Sequence, residues 1–349
     1  MSDRPWDAAG DRDGLAAYVA EHRPDLAGPF DVERIGSGQS CLTFLVRGEG
    51  WEVVLRRPPR GDLPPTAFDV AREFRVTRAL AEGQDVVPVP RPLVLCEDRS
   101  VIGAPFYLME KVEGVVVRSE VPPGLADPAE HRRMADELVD TAAALHAVDV
   151  ASVGLEGFGR PQGYLERQLA RIGDQWARAR SRPIPEIDLL AGWLAGHAPL
   201  QGSAALVHGD YKLDNVMFAP SPPARLVAVV DWEMSTIGDP LADLGWLLFF
   251  WKERGEPTIG LSASSVTDME GFPNRGEVLS RYADRTGALV DDVRWYMALA
   301  GWKIAVIMEG SYRRFLAGIT DHPGFRELDT VVPELARRAL DAAEGRLGP

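Results

Sequence analysis

The stretch that decides the reading is His208-Gly209-Asp210-Tyr211-Lys212-Leu213-Asp214-Asn215, with Asp231-Trp232-Glu233 beginning sixteen residues beyond Asn215. Apolar residues 204–207 lead into the first group and residues 227–230 into the second. Each acidic group is therefore expected on a loop just after a short strand, a setting that holds carboxylates rigidly at the edge of a cleft. The same polar residues would suit an Asx turn between two strands, but turn chemistry gives no account of the second acidic loop.

These residue types at this spacing suit phosphoryl transfer, which asks a protein for positioning and charge neutralisation more than for covalent chemistry. Asp210 is placed to orient an attacking hydroxyl and accept its proton. Asn215 and Asp231 supply the amide oxygen and carboxylate that hold Mg²⁺ on phosphates. Lys212, two residues beyond the base, is placed to reach the transferring group.

Here the chain resembles the kinase pattern H-x-D-x-K-x-x-N followed by an acidic metal loop. More narrowly, His208-Gly209-Asp210 with Asn215, and then Asp231-Trp232-Glu233, resembles the aminoglycoside phosphotransferase and choline kinase superfamily. The resemblance runs from Phe30 to at least Trp251. It implies an α+β, protein-kinase-like two-lobed fold with a β-rich N-terminal lobe (1–111) and a mainly helical C-terminal lobe (112–349). It also implies ATP and Mg²⁺ as cofactors and a hydroxylated small molecule as acceptor. Many antibiotic and choline kinases carry His-Pro after the catalytic Asp, where this chain has Lys212-Leu213. Arg56-Arg57-Pro58-Pro59 and Tyr211–Asn215 look closer to the branch fused to acyl-CoA dehydrogenases. That branch implies a hydroxyacyl-CoA or hydroxy acid acceptor and puts aminoglycoside resistance in doubt, with an antibiotic (aminoglycoside or macrolide) kinase as the alternative.

Periodicity gives the lobes independently. Alternating or β-branched runs at 30–35, 41–46, 51–55, 93–96 and 106–109 predict five strands, with one helix over 68–80 inserted. A further helix is expected at 13–26. Beyond Gly114 the pattern turns helical at 127–148, 163–180 and 187–197, then β-rich over 204–230, then helical again. The junction at 110–114 is where a nucleotide would sit, since ligand sites favour domain interfaces.

Gly36-Ser37-Gly38, between two strands, could lay N–H groups over phosphates or be a plain hairpin. Strand alternation sends Arg56 and Arg57 to opposite faces, so one of them enters the cleft; Arg56 is the expected phosphate contact. Glu73 on the inserted helix pairs with Arg56 if the kinase resemblance holds, and otherwise belongs to a solvated face. Backbone groups near Glu110 and Val112 would meet the adenine edge. Asp239 reads as an N-cap and Pro240 as the first helical residue; the resemblance adds that such an Asp braces the catalytic loop, and Asp243 is also read as structural. Lys303, Arg313 and Arg314 read as the exposed side of a helix, with an anionic acceptor as the alternative. Most tryptophans of the second half read as core.

A formal charge of −14 argues against a nucleic-acid binder, which needs a basic stripe, but not against a nucleotide, which needs only local cations. The longest apolar runs, 244–251 and 297–308, fall short of a membrane span. With two cysteines, Cys41 and Cys96, and no secretory pattern at the start, a cytoplasmic setting is the default, and a homodimer is left open. Two other readings compete. A pseudokinase would need a lost catalytic element, and a metal hydrolase would need a second His cluster. Eight residues between Asp231 and Pro240 leave no room for an activation loop, against protein-kinase activity.

Overall fold

Alternation along the strand Trp51–Arg57 builds the first part of the chain. Val53 and Leu55 enter one apolar cluster with Leu15, Phe44 and Phe106, while Val54 enters another with Cys41, Val70 and Tyr107. The computed structural model describes residues 9–36, 41–58, 69–83, 86–260, 266–320 and 323–348. It divides into two units, Met1–Glu113 with Ala228–Glu233, and Gly114–Val227 with Met234–Pro349.

In the first unit the elements run α1 (Ala9–His22), β1 (Phe30–Ile35), β2 (Leu42–Gly48), β3 (Trp51–Arg57), α2 (Val70–Glu82), β4 (Pro92–Cys96), α3 (Arg99–Ile102) and β5 (Phe106–Glu110). The sheet is antiparallel throughout, in the order β1-β2-β3-β5-β4. α1 covers the Val53/Leu55 face and α2 the Val54 face. Asp69 caps α2 by accepting the Arg72 N–H at 2.9 Å, and Val70, Glu73, Val76, Thr77 and Leu80 form its buried side. The five strands and the inserted helix fall where alternation placed them; Phe68, the expected start of that helix, lies outside the described residues. α3 has no counterpart in the sequence reading, being a single turn between the Asp98 cap and a left-handed Gly103.

The second unit holds α4 (Pro128–His146), α5 (Tyr164–Ala179), α6 (Pro185–Gly196), β6 (Ala205–Val207) and β7 (Val216–Phe218), followed by β8 (Leu226–Val229), whose last two residues group with the first unit, and β9 (Thr236–Gly238). Then come α7 (Leu241–Phe250), α8 (Arg275–Thr286), α9 (Val293–Leu316) and α10 (Leu328–Ala343). β6 pairs antiparallel with β9, a three-residue strand the sequence pattern did not show.

α9 runs through the core, and two glycines let its neighbours approach closely. A Cβ on Gly245 of α7 would lie 2.4 Å from the Tyr296 Cβ, and one on Gly301 of α9 would lie 2.5 Å from Ala339 of α10. Among the described residues no helix is long and apolar enough to cross a membrane.

Gly→Ala in an exposed helix gains about 1 kcal/mol. Gly245→Ala is expected to do the opposite and lower stability by about 1–3 kcal/mol through overpacking. Denaturant unfolding checks this, and a raised midpoint would show that α7 and α9 are free to separate.

Candidate active site

In the second unit, β6 delivers the chain into the loop 208–212, and a 3₁₀ turn, Leu213–Asn215, carries it out into β7. Gly209 sits at φ +83°, and a Cβ there would lie 2.5 Å from the Met234 carbonyl oxygen. Only glycine suits both the left-handed conformation and the close approach.

Asp243, buried in the first turn of α7, fixes this loop from beneath. Its two oxygens accept the His208 N–H at 2.6 Å and the Gly209 N–H at 2.7 Å. His146 Nε2 lies 3.3 Å from the same carboxylate, and His146 Nδ1 lies 2.7 Å from the Tyr282 hydroxyl. Burial pushes the Asp243 carboxyl up, but His146 and His208 outweigh it and hold it below the usual carboxylate range. The brace is thus Asp243. Asp239, to which the resemblance gave that task, instead accepts the Leu241 N–H and the Tyr296 hydroxyl. It caps α7 from one residue further out than expected, because Pro240 is the N-cap residue itself.

Asp210 emerges with every polar atom engaged. Its N–H donates to His208 Nδ1 at 3.2 Å, Oδ1 meets Lys212 Nζ at 2.5 Å, and Oδ2 accepts from Asn215 Nδ2 at 2.7 Å. Burial raises its pKa; the charge and hydrogen bond of Lys212, with His208 and Asn215, more than reverse this and keep the group ionised. Asn215 also donates to the Asp210 carbonyl at 2.8 Å, so both amide hydrogens are in use and its oxygen is left for another partner. Tyr211, fully buried, donates its hydroxyl to the Leu138 carbonyl and ties the loop to α4. Lys212 lies over the Phe250 ring at 5.7 Å.

In the first unit, Arg56 falls on the Val54 side of β3 and so faces α2. Its Nε donates to Glu73 at 3.1 Å and its Nη2 to Asp231 at 2.9 Å. Glu73 also accepts the Trp232 N–H at 3.2 Å. Burial and the neighbouring Asp231 push the Glu73 carboxyl up, while Arg56 and the Trp232 N–H oppose them. Arg57 goes to the other face, as alternation requires, with its guanidinium 5.5 Å from the Phe44 ring. Asp231 adopts φ +68°, unusual for a residue with a side chain, and its Oδ2 makes no hydrogen bond among the described residues.

The remaining expected residues are less engaged. Gly36 has φ +75° at the end of β1, whereas Ser37 and Gly38 lie outside the described residues. Glu110 is exposed at the end of β5 with its N–H on the Arg91 carbonyl; the Val112 N–H has no partner among the described residues. Lys303 departs from the exposed face expected of it, while Arg313 and Arg314 are exposed as read. It turns inward from α9 and donates to the Gly209 carbonyl at 3.0 Å. The available signal was a lone cation inside the apolar run 297–308, since lysine is seldom buried without a purpose.

Comparison with known proteins puts this geometry in context. The model of the APH phosphotransferase enzyme family matches residues 31–264. Acyl-CoA dehydrogenase family member 11 of Rattus norvegicus is 38% identical over 341 residues, covering 93% of this chain and 43% of that protein. Family member 10 of Mus musculus is 35% identical over 319 residues, covering 90% of this chain and 29% of that protein. The chain therefore spans less than half the length of these curated relatives. A Ralstonia eutropha protein described as a candidate aminoglycoside phosphotransferase is 34% identical with a TM-score of 0.80, covering 95% of this chain and 98% of that one. Aminoglycoside 2'-phosphotransferase-IIIa, solved with GDP, is 16% identical with a TM-score of 0.63 over 93% of this chain and 98% of that one; this likeness concerns the fold. The fold is accordingly the α+β, protein-kinase-like one, with a β-rich N-terminal part and a helical C-terminal part.

Asp243→Ala would leave two buried N–H groups without an acceptor and is expected to cost about 2–4 kcal/mol. Because the folded state lowers this pKa, its stabilisation is full above about pH 4, the unfolded value, and fades as pH falls below it. Urea unfolding of wild type and variant at pH 7 and pH 3 should show the difference shrinking in acid. An equal difference at both pH values would contradict the role given to the ionised carboxylate.

Proposed function

The chain belongs to this phosphotransferase family, and on that footing we propose that it moves the γ-phosphoryl group of Mg·ATP to a hydroxyl group of a small molecule, with Asp210 as the base. The observation that carries the reading is the state of Asp210: ionised, held at one oxygen by Lys212 and at the other by Asn215. A fixed carboxylate with spare lone pairs can orient an incoming hydroxyl and take its proton as the new bond forms. Lys212, already seated beside that carboxylate, brings positive charge to the oxygen that will carry the phosphoryl group.

Arg56 is the proposed phosphate contact. Glu73 and Asp231 hold its guanidinium in one orientation, so its reach does not depend on a flexible side chain finding its place. Gly36, Ser37 and Gly38 are proposed over the phosphates, and backbone groups of Glu110 and Val112 at the base.

Asn215 and Asp231 are proposed for Mg²⁺: each has an oxygen left over, the amide oxygen of the one and Oδ2 of the other, a hard ligand of the kind this ion prefers. No three His, Cys, Asp or Glu side chains form a metal-binding group among the described residues. Nucleotide phosphates would supply the remaining ligands. When bound, it neutralises phosphate charge; binding and orienting the reactants falls to the chain's own residues.

For the acceptor we infer a hydroxyacyl-CoA or hydroxy acid. Support comes from the acyl-CoA dehydrogenase family members, whose similarity covers nine tenths or more of this chain. A pseudokinase would require a missing element, whereas Asp210, Asn215, Asp231 and Arg56 are all present in the sequence.

Transfer of label from [γ-³²P]ATP to a panel of hydroxyacyl-CoAs, hydroxy acids, amino alcohols, sugars and aminoglycosides tests the reading. Asp210→Ala should lower transfer by about 10²–10⁴-fold with the KM for ATP little changed. Undiminished transfer by Asp210→Ala would remove it as the base, and labelling of aminoglycosides alone would overturn the acyl assignment.

A further inference from the structure

Lys303 stands in the middle of α9 and is partly buried. Its Nζ donates to the Gly209 carbonyl at 3.0 Å and lies 4.5 Å from the centre of the Trp246 ring. A cavity of about 20 Å³, lined by Lys303, Gly209, Asp243, Trp246, Tyr164 and Gln168 among others, adjoins it; that is room for about one water molecule. An ammonium group placed here gives up most of its hydration for one carbonyl, one aromatic face and the small cavity beside it. Such a position calls for a use beyond packing.

The use follows from what the carbonyl belongs to. The peptide unit between Gly209 and Asp210 has its oxygen on Lys303 and its N–H on His208 Nδ1. The preceding two N–H groups are on Asp243. Glycine at φ +83° gives the chain little resistance to rotation of the next peptide plane. Rotating that plane would redirect the bond from the Asp210 backbone to its carboxylate. The rotation is opposed by the Asp210 N–H bond to His208 and, more strongly, by the charge-assisted bond from Lys303, about twice as strong as a neutral one.

We propose that Lys303 is a positioning residue whose ammonium group locks the peptide plane between Gly209 and Asp210 and so fixes the direction of the Asp210 carboxylate. The inference rests on the reading of Asp210 as the base. It deepens that reading by making catalysis depend on the charge of a residue that acts through the Gly209 carbonyl.

The charge is one that ordinary pH can remove. Burial, then Arg171 and Lys212, lower the Lys303 pKa, and Asp210 and Asp243 offset them in part, leaving it at about 8. The groups facing it come from every neighbouring element: Asp210 and Lys212 from the loop, Asp243 from α7, Tyr164 and Arg171 from α5, and Tyr296 from α9 itself. Asp210 and Asp243 are held below the usual carboxylate range, and burial pushes the hydroxyls of Tyr164 and Tyr296 far up. Below about pH 8 the lock is charged. As pH rises through that value the lock weakens, so the loop should loosen and turnover should fall.

Hydrogen exchange of the Gly209–Tyr211 amides in the full chain, expressed as protection from pH 7 to 9.5, tests this without an acceptor. Wild type should lose protection several-fold through about pH 8. Lys303→Arg, which keeps its charge, should stay protected across the range, and Lys303→Met should be poorly protected throughout. With an acceptor from the labelling panel, kcat should follow the same three profiles while the KM for ATP holds. Wild-type protection in Lys303→Met at pH 7 would overturn the proposal. Should Lys303→Met not fold, the arginine variant decides: a flat profile supports the lock, and a wild-type fall through pH 8 overturns it. If the exchange profiles appear as stated but Asp210→Ala still transfers phosphate, the lock stands and the base assignment fails.

Discussion

Two consecutive backbone N–H groups, those of His208 and Gly209, end on one buried carboxylate, and the geometry of the second unit follows from that constraint. Asp243 can accept both only if α7 begins directly beneath the loop, which the Asp239 and Pro240 start ensures. α7 in turn is placed by α9, whose close approach depends on Gly245 lying against Tyr296. Removing the carboxylate would do more than delete two hydrogen bonds. It would leave two buried donors unmatched and free a glycine that already sits in a left-handed conformation.

The first unit uses the same device with the signs exchanged. Arg56 is a buried cation, and Glu73 and Asp231 approach it from two distant segments of the chain. Removing one member of a buried ion set costs about 3–5 kcal/mol, because the remaining charge stays desolvated. Asp231 reaches Arg56 from the segment Ala228–Glu233, which groups with the N-terminal part and is also tied to it by the Val229 N–H on the Pro88 carbonyl. Both arrangements hold acidic and basic side chains in fixed orientations before any ligand arrives, which is what phosphoryl transfer asks of a protein.

Much of this was legible beforehand, for identifiable reasons. The strands of the first unit alternate with period two between clear turns, so residue faces, including the divergence of Arg56 and Arg57, could be read directly. The cluster at 208–215 and the second acidic loop stood out because their residue types and spacing serve one chemistry. α3 and β9, four and three residues long, are too short to show any period. Which of Asp239 and Asp243 braces the loop depends on how α7 meets β6, and nothing local distinguishes them. Lys303 was misread for a related reason: a cation in an apolar helix looks like an exposed edge until its carbonyl partner, 94 residues away in sequence, is seen.

Calorimetric titration with a non-hydrolysable ATP analogue tests the proposed phosphate and magnesium roles of Arg56 and Asp231 most directly. Wild type should bind the analogue only in the presence of Mg²⁺. Arg56→Ala should bind at least about tenfold more weakly, a loss of about 1.4 kcal/mol. Absence of binding, or binding indifferent to both Mg²⁺ and the substitution, would contradict those roles.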